Sequence, residues 1–222
     1  MTGAPVLVLA SASPARRATL VAAGVDPQVR VSSVDEDAVV ARYGVTAAED
    51  VALVLARAKA EDVAAALFAE GVDDALVVGC DSVLEFEGEV HGKPGTADVA
   101  RARWLRMRGR SGVLHTGHWL VDLRPPGPAP DGGSGATLGA VSSTTVHFAR
   151  LADDEVDAYV ATGEPLAVAG GFTLDGLGGA YVTGVEGDHH GVVGISLPLL
   201  RELLAEAGVP WHALWRSRPA AG

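Results

Sequence analysis

The chain has 222 residues, 48% of them hydrophobic, enough for one sizeable core, and residues 1–222 read as a single domain. Seventeen basic against 28 acidic residues leave a formal net charge of −11, which excludes a broad positive surface for a DNA or RNA polymer, so an anionic ligand would have to be held by a few placed cations. The single cysteine, Cys80, excludes an intramolecular disulfide and a multi-cysteine metal site, and its place at the end of an apolar run reads as a packed thiol.

No apolar run is long enough to span a membrane, and no cationic stretch precedes the short apolar segment within Met1 to Ala10. The expectation is a cytoplasmic protein with no membrane partner. Pro5 to Ala10 reads as a buried strand, and Ser13-Pro14 then opens a helix over Ala15 to Ala23, with a serine cap and proline at its first position. Val29 to Val34 reads as a second strand, and Ala47 to Glu70 as a long Ala-rich helix. Ala75 to Cys80 is a short apolar strand, followed by a hairpin over Val83 to Val90 that turns near Glu87-Gly88. A threonine cap opens a helix over Thr96 to Arg108, and Val113 to Leu123 and Thr137 to Phe148 are longer strands. Between those strands, a Pro/Gly tract at about 125–136 reads as a mobile surface connection. Asp153 to Thr162 and Leu197 to Ala207 are helical, and the stretch between them is rich in glycine. Strands and helices alternate without a strict βαβ repeat, so the expected fold is α/β, a mixed β-sheet flanked by helices.

Two hydroxyls, Ser11 and Ser13, and two guanidinium groups, Arg16 and Arg17, fall around the first turn of the first helix. Backbone N–H groups and the positive dipole end favour an anion there, and arginine adds donors matched to phosphate oxygens. Ser13 is also an ordinary cap, with the arginines solvated. Asp81 follows an apolar strand, at a position where an acid binds a metal or accepts a water proton, or merely caps a turn. Lys93 sits in a turn fixed by Gly92 and Pro94 that aims its ammonium at a phosphate or leaves it in solvent. Glu36, within Asp35-Glu-Asp37, reads as a metal ligand or a solvated loop acid; Lys59 reads as a cation on the long helix or a snorkelling side chain. Glu164 follows a helix end. Gly176-Leu-Gly-Gly179 lacks the helix that a dinucleotide fingerprint needs, and His189-His190 lacks the spacing of a chelating pair.

Taken in order, these pieces resemble the Maf family across nearly the whole chain. Leu9-Ala-Ser-Ala-Ser-Pro-Ala-Arg16 is similar to its opening signature, Gly79-Cys-Asp-Ser82 to its central aspartate turn and Gly92-Lys-Pro94 to its lysine turn. His115-Thr-Gly117, Thr162-Gly-Glu-Pro165 with Ala169-Gly170, and Gly187-Asp188 with Val193-Gly-Ile-Ser-Leu-Pro198 are similar to its later segments.

The resemblance implies a Maf/ITPase-like fold of two lobes around a central cleft, a homodimer, and hydrolysis of a nucleoside triphosphate to the monophosphate and pyrophosphate. Asp81 would be the general base or a metal ligand, and Glu36 would help hold Mg²⁺ or Mn²⁺. Ser11, Ser13, Arg16, Lys59, Lys93 and Glu164 would bind the substrate. The chain departs from the family at its specificity positions. Members that prefer thymidine and uridine triphosphates carry Arg, Thr and Gln where Ala15, Ser82 and Asp175 stand; a branch that prefers a methylated guanosine triphosphate has Trp in place of Ala15; and a familiar late lysine is Val168. Asp175 accepts hydrogen bonds from a base edge but donates none when ionised, which suits a different base. The alternatives are a non-catalytic, nucleotide-binding regulator of cell division and an enzyme acting at the terminal phosphate.

Overall fold

Three twelve-residue strands set the frame of the protein. They are β3 (Ala75–Phe86), β5 (Ser111–Asp122) and β6 (Thr137–Phe148), and they pair antiparallel in sequence order. The computed structural model describes residues 5–127 and 132–215, and the elements run β1 (Val6–Leu9), α1 (Pro14–Ala22), β2 (Gln28–Val29), α2 (Glu36–Tyr43) and α3 (Ala48–Ala69) before β3. After it come β4 (Glu89–His91), α4 (Ala97–Met107), β5, β6, α5 (Asp153–Ala161), β7 (Val182–Glu186), α6 (His189–Val193) and α7 (Leu197–Glu206). The seven strands form one sheet in the order β2-β1-β3-β5-β6-β7, with β4 also on β3. β1 pairs parallel with β2 and β3 while the other pairs are antiparallel, which makes the mixed sheet that the alternation of elements predicts.

Each face of β3 has its own cover because side chains alternate along a strand. Val77, Gly79, Asp81 and Val83 face α3, whose backbone comes close because Gly79 and Gly117 have no side chain: a Cβ at Gly79 would meet Ala60 N at 2.8 Å, and one at Gly117 would meet Leu53 N at 2.8 Å. On the opposite face, Leu76, Val78 and Cys80 join a core with α1 and α7, whereas Leu84 and Phe86 join a second core with α4 and α5. Ser82 falls between these two cores, at the seam of two lobes.

The edge of β3 is interrupted at the same place. β1 covers it from Ala75 to Val78 and β4 from Leu84 to Phe86, so Gly79 to Val83 have a strand partner only on the β5 side. Asp81 therefore lies inside a long strand and is buried, not exposed at a strand end as its place after an apolar run predicts. The predicted strand and following hairpin are one continuous β3 because β5 pairs with it from Leu76 to Glu85, and the expected turn at Glu87-Gly88 follows, with φ values of 55° and 77°.

The second strand is shorter than expected, since Val29 and Val31 are exposed and give no burial to extend it, and Ser33 bonds instead to Asp62 on α3. The acidic triplet, read above as a loop, is the start of α2, capped by Asp35 on Ala38 N at 3.0 Å; two further acids in the first turn suit the helix dipole. Residues 128–131 of the Pro/Gly tract lie outside the described residues. Its flanks are held by Gly133 N donating to Pro125 O and by Ser134 donating to Asp122, which also binds the buried Arg124. Among the described residues no helix is long and apolar enough to cross a membrane.

Gly79→Ala, with no room for its methyl group against α3, is expected to destabilise the fold by about 1–3 kcal/mol. The midpoint of urea unfolding checks this, and an unchanged midpoint would contradict the close approach.

Candidate active-site cleft

The interrupted edge of β3 opens into a cleft of ≈ 460 Å³. One wall is the turn from β1 into α1, built as the sequence suggests: Ser13 caps the helix with its hydroxyl on Arg16 N at 3.4 Å, and Pro14 supplies the first helical residue. Arg16 is then fixed by three partners from three parts of the chain. Its Nε donates to Gly194 O at 2.7 Å, one terminal nitrogen to Ser11 Oγ at 2.9 Å and the other to Ser82 Oγ at 3.2 Å. A guanidinium has five donors, so two N–H groups remain beyond this clamp. Arg17, expected in the same cradle, instead pairs with Asp26 at 3.2 Å on the surface, because consecutive helical residues point about 100° apart.

The second constellation spans the floor. Lys59 Nζ lies 2.6 Å from Asp81 Oδ1 and 2.7 Å from Glu36 Oε1, so one buried ammonium joins a carboxylate of β3 to one at the start of α2. It is not a snorkelling lysine: it continues the sheet-facing stripe of Ala52, Ala56, Ala60 and Val63 on α3. Burial pushes the Asp81 carboxyl above its ordinary value, with Lys59 and Arg16 pulling the other way. Burial acts on Glu36 in the same sense but is outweighed by Lys59, Lys93 and Arg16, which hold it below the ordinary value. Cys80, one residue from Asp81, is fully buried and its thiol is pushed up to about 12 by desolvation, as suits a packed residue and not a nucleophile.

Lys93 enters from the opposite wall. Its turn is tied down by Gly92 O, which accepts from Arg103 at 2.6 Å and from Gly170 N, and by Gly95 N on Leu166 O at 3.0 Å. Ala15 and Asp175 also line the cleft, as do the predicted Ser11, Ser13, Arg16, Glu36, Lys59, Asp81, Ser82 and Lys93. Glu164 does not. Its carboxylate is occupied by Tyr159, Thr173, Leu177 N and Gly178 N, so it faces the inside of its own wall.

Sequence reading missed the supports of the clamp. Ser82 donates to Thr116 Oγ1 at 2.8 Å, and Thr116 donates its own hydrogen to Gly191 O at 2.8 Å, which links Arg16 through two strands to α6. His118 accepts from Ser196 N at 2.8 Å beneath the Gly194 turn, and burial lowers its pKa to about 4. The alternation of β5, which puts Thr116 and His118 on the Ser82 face, is the one signal that would have found them. Among the described residues Asp188, His189 and His190 bring ligand atoms within 4.8 Å, closer than their spacing suggests, although Asp188 already caps α6.

Fold and cleft together define a mixed-sheet α/β protein with a cation-rimmed, acid-floored cleft at a gap in its sheet. The chain belongs to the Maf-like protein family, whose model matches residues 6–207. It is 56% identical to a protein named nucleoside triphosphate pyrophosphatase in Salinispora tropica, over 94% of this chain and 87% of that one. Proteins of the same name in Rhodococcus jostii and Nocardia farcinica are also 56% identical, each over 95% of this chain and 96% of theirs.

Arg16→Lys keeps the charge but cannot span three acceptors, and is expected to weaken binding of inorganic tripolyphosphate about tenfold by calorimetry. His118 yields a pH signature. The unfolded chain takes up the proton near 6.5 and the folded chain only near 4, so the stability due to the neutral ring is complete above 6.5 and is lost as pH falls to 4. His118→Phe, compared by urea unfolding at steps across that window, is expected to flatten this part of the profile.

Proposed function

We propose that the chain is a nucleoside triphosphate pyrophosphatase, hydrolysing its substrate between the α and β phosphates to give a nucleoside monophosphate and pyrophosphate. The observation that carries the reading is the linkage of the buried Asp81 and Lys59 to the more exposed Glu36, in the same cleft as the Arg16 clamp and Lys93. The names of the relatives support it.

The floor fits a divalent ion. Two carboxylates from different elements reach one point, both are oxygen donors, and each has only one oxygen engaged by Lys59. Mg²⁺ is typically held by one or two carboxylates with substrate phosphates supplying further oxygens. Glu36 and Asp81 would hold Mg²⁺ or Mn²⁺, and the bound ion would supply positive charge against the phosphate oxygens.

The protein's own groups account for the rest. The N-terminus of α1, with Ser11, Ser13 and the fixed Arg16, grips the phosphate chain, and Lys59 and Lys93 offset its charge from two sides. Asp81 takes a proton from the attacking water as the water oxygen bonds to the α phosphorus. The bond from that phosphorus to the bridging oxygen breaks, and pyrophosphate leaves with the electron pair. Ser82 acts on the phosphate clamp, since its hydroxyl is engaged by Arg16 and Thr116, whereas Ala15 and Asp175 shape the nucleoside end. The reading carries with it a cytoplasmic homodimer, for which light scattering is the check on assembly.

Incubation with a panel of normal and modified triphosphates and Mg²⁺ or Mn²⁺, followed by phosphorus NMR, is expected to show monophosphate and pyrophosphate as first products. In Asp81→Asn the rate is expected to fall by about a thousandfold or more, in the range of a lost base or ligand. Orthophosphate as first product would place the chemistry at the terminal phosphate, and binding with no turnover would favour a regulatory role.

A further inference from the structure

Glu164 is the most fully engaged carboxylate near the cleft, and none of its bonds is to a cleft cation. Its Oε1 accepts from Tyr159 at 3.0 Å, from Gly178 N at 2.9 Å and from the Thr173 hydroxyl at 2.5 Å, and its Oε2 accepts from Leu177 N at 3.0 Å. The loop it binds, Thr173 to Gly178, wraps the carboxylate closely. A Cβ at Gly176 would meet Glu164 Oε2 at 2.7 Å, and one at Gly178 would meet Thr173 N at 2.9 Å. Tyr159 is in turn packed edge-on against Trp104 at 5.4 Å and Tyr181 at 5.5 Å, so the anchor rests on a rigid aromatic group.

The first residues of that loop, Thr173 to Asp175, line the same cleft as Arg16. From Ala167 to Asp175 the wall contains no lysine or arginine, and it offers the apolar side chains of Phe172 and Leu174 together with the carboxylate of Asp175, the Thr173 hydroxyl being engaged by Glu164 and Gly178 N. Such a surface repels a phosphate chain and suits a flat, partly apolar ring with N–H groups on its edge. The cations lie elsewhere, on α1, α3 and the Lys93 turn, and the Lys93 turn has its own tie through Arg103 to Gly92 O.

We propose that Glu164 is a positioning residue that sets affinity and selectivity for the nucleoside part of the ligand, by holding the Thr173–Asp175 wall in place, and that it leaves the phosphate end unaffected. The favoured bases are those presenting N–H donors to the Asp175 carboxylate. This rests on the pyrophosphatase reading for the identity of the ligand but makes a separate demand on the wall.

Glu164→Gln preserves shape but replaces one oxygen by an NH₂ group, which sets a donor against a donor and leaves a backbone N–H without its acceptor. The test uses full-length protein with Asp81 intact and calorimetry with two probes that hold no nucleoside triphosphate to turn over. Glu164→Gln is expected to weaken binding of nucleoside monophosphates by about tenfold and to narrow the differences among bases, while binding of inorganic tripolyphosphate changes less than about twofold. In the active protein KM rises by a similar factor and kcat changes little, and Glu164→Asp restores part of the loss. Thermal melting verifies folding; if Glu164→Gln does not fold, Thr173→Val, which removes one donor to the carboxylate, takes its place with the same expected pattern. Equal loss for both probes, or a fall in kcat with KM unmoved, overturns the proposal. If the chain with Asp81 intact releases no pyrophosphate from any triphosphate, the functional reading fails by itself, and the two-probe comparison still decides the role of Glu164.

Discussion

A single ammonium makes the floor of the cleft possible. Two carboxylates held beside each other repel, and the buried one, Asp81, loses hydration that nothing apolar can replace. Lys59 stands between Asp81 and Glu36 and offsets both costs. The ion pair also fixes geometry, since it ties the middle of β3, the middle of α3 and the first residue of α2 to one point. Removing Lys59 would leave the buried Asp81 carboxylate without its counter-charge, whereas removing either carboxylate leaves Lys59 paired with the other.

The backbone supplies the space for that floor. A continuous neighbour along β3 would cover Asp81 and Ser82 on the strand edge, whereas β1 ends at Leu9, opposite Val78, and β4 reaches back only to His91, opposite Leu84. The end of β1 also determines where α1 starts, and hence where Ser11, Ser13 and Arg16 stand relative to Asp81. Side-chain alternation then divides the labour. Asp81 faces α3 and its lysine; Ser82 faces the seam between the two cores and meets Arg16. Because Thr116 and His118 lie on the Ser82 face of β5, the clamp is supported from beneath by buried hydrogen bonds to Gly191 O and Ser196 N.

Several departures from sequence reading share one cause, which is that local pattern does not show what a segment packs against. Arg16 and Arg17 are equivalent in the sequence, yet one faces Gly194 and the other Asp26. The acidic triplet reads as solvated, but its first helical residue is drawn to Lys59. Glu164 falls within a signature shared with the Maf family, and the structure turns its carboxylate into its own wall, away from the cleft.

What the sequence determined by itself is whatever depends on near neighbours: the serine-capped, proline-led first helix, the long Ala-rich helix, the two long strands from Val113 and Thr137, the turn at Glu87-Gly88 and the mixed sheet. Capping, periodicity and turn preference act within a few residues and are therefore written in the local order of side chains. The family resemblance added the roster of cleft residues, but not their bonds. Only the tertiary structure decided that Lys59 joins Asp81 to Glu36, that Gly194 holds Arg16 from the far end of the chain, and that Glu164 serves the wall. The contacts of Lys59 and Arg16 link residues 22 to 178 positions apart, and their partners are chosen by how helices pack on the sheet, which no local pattern encodes.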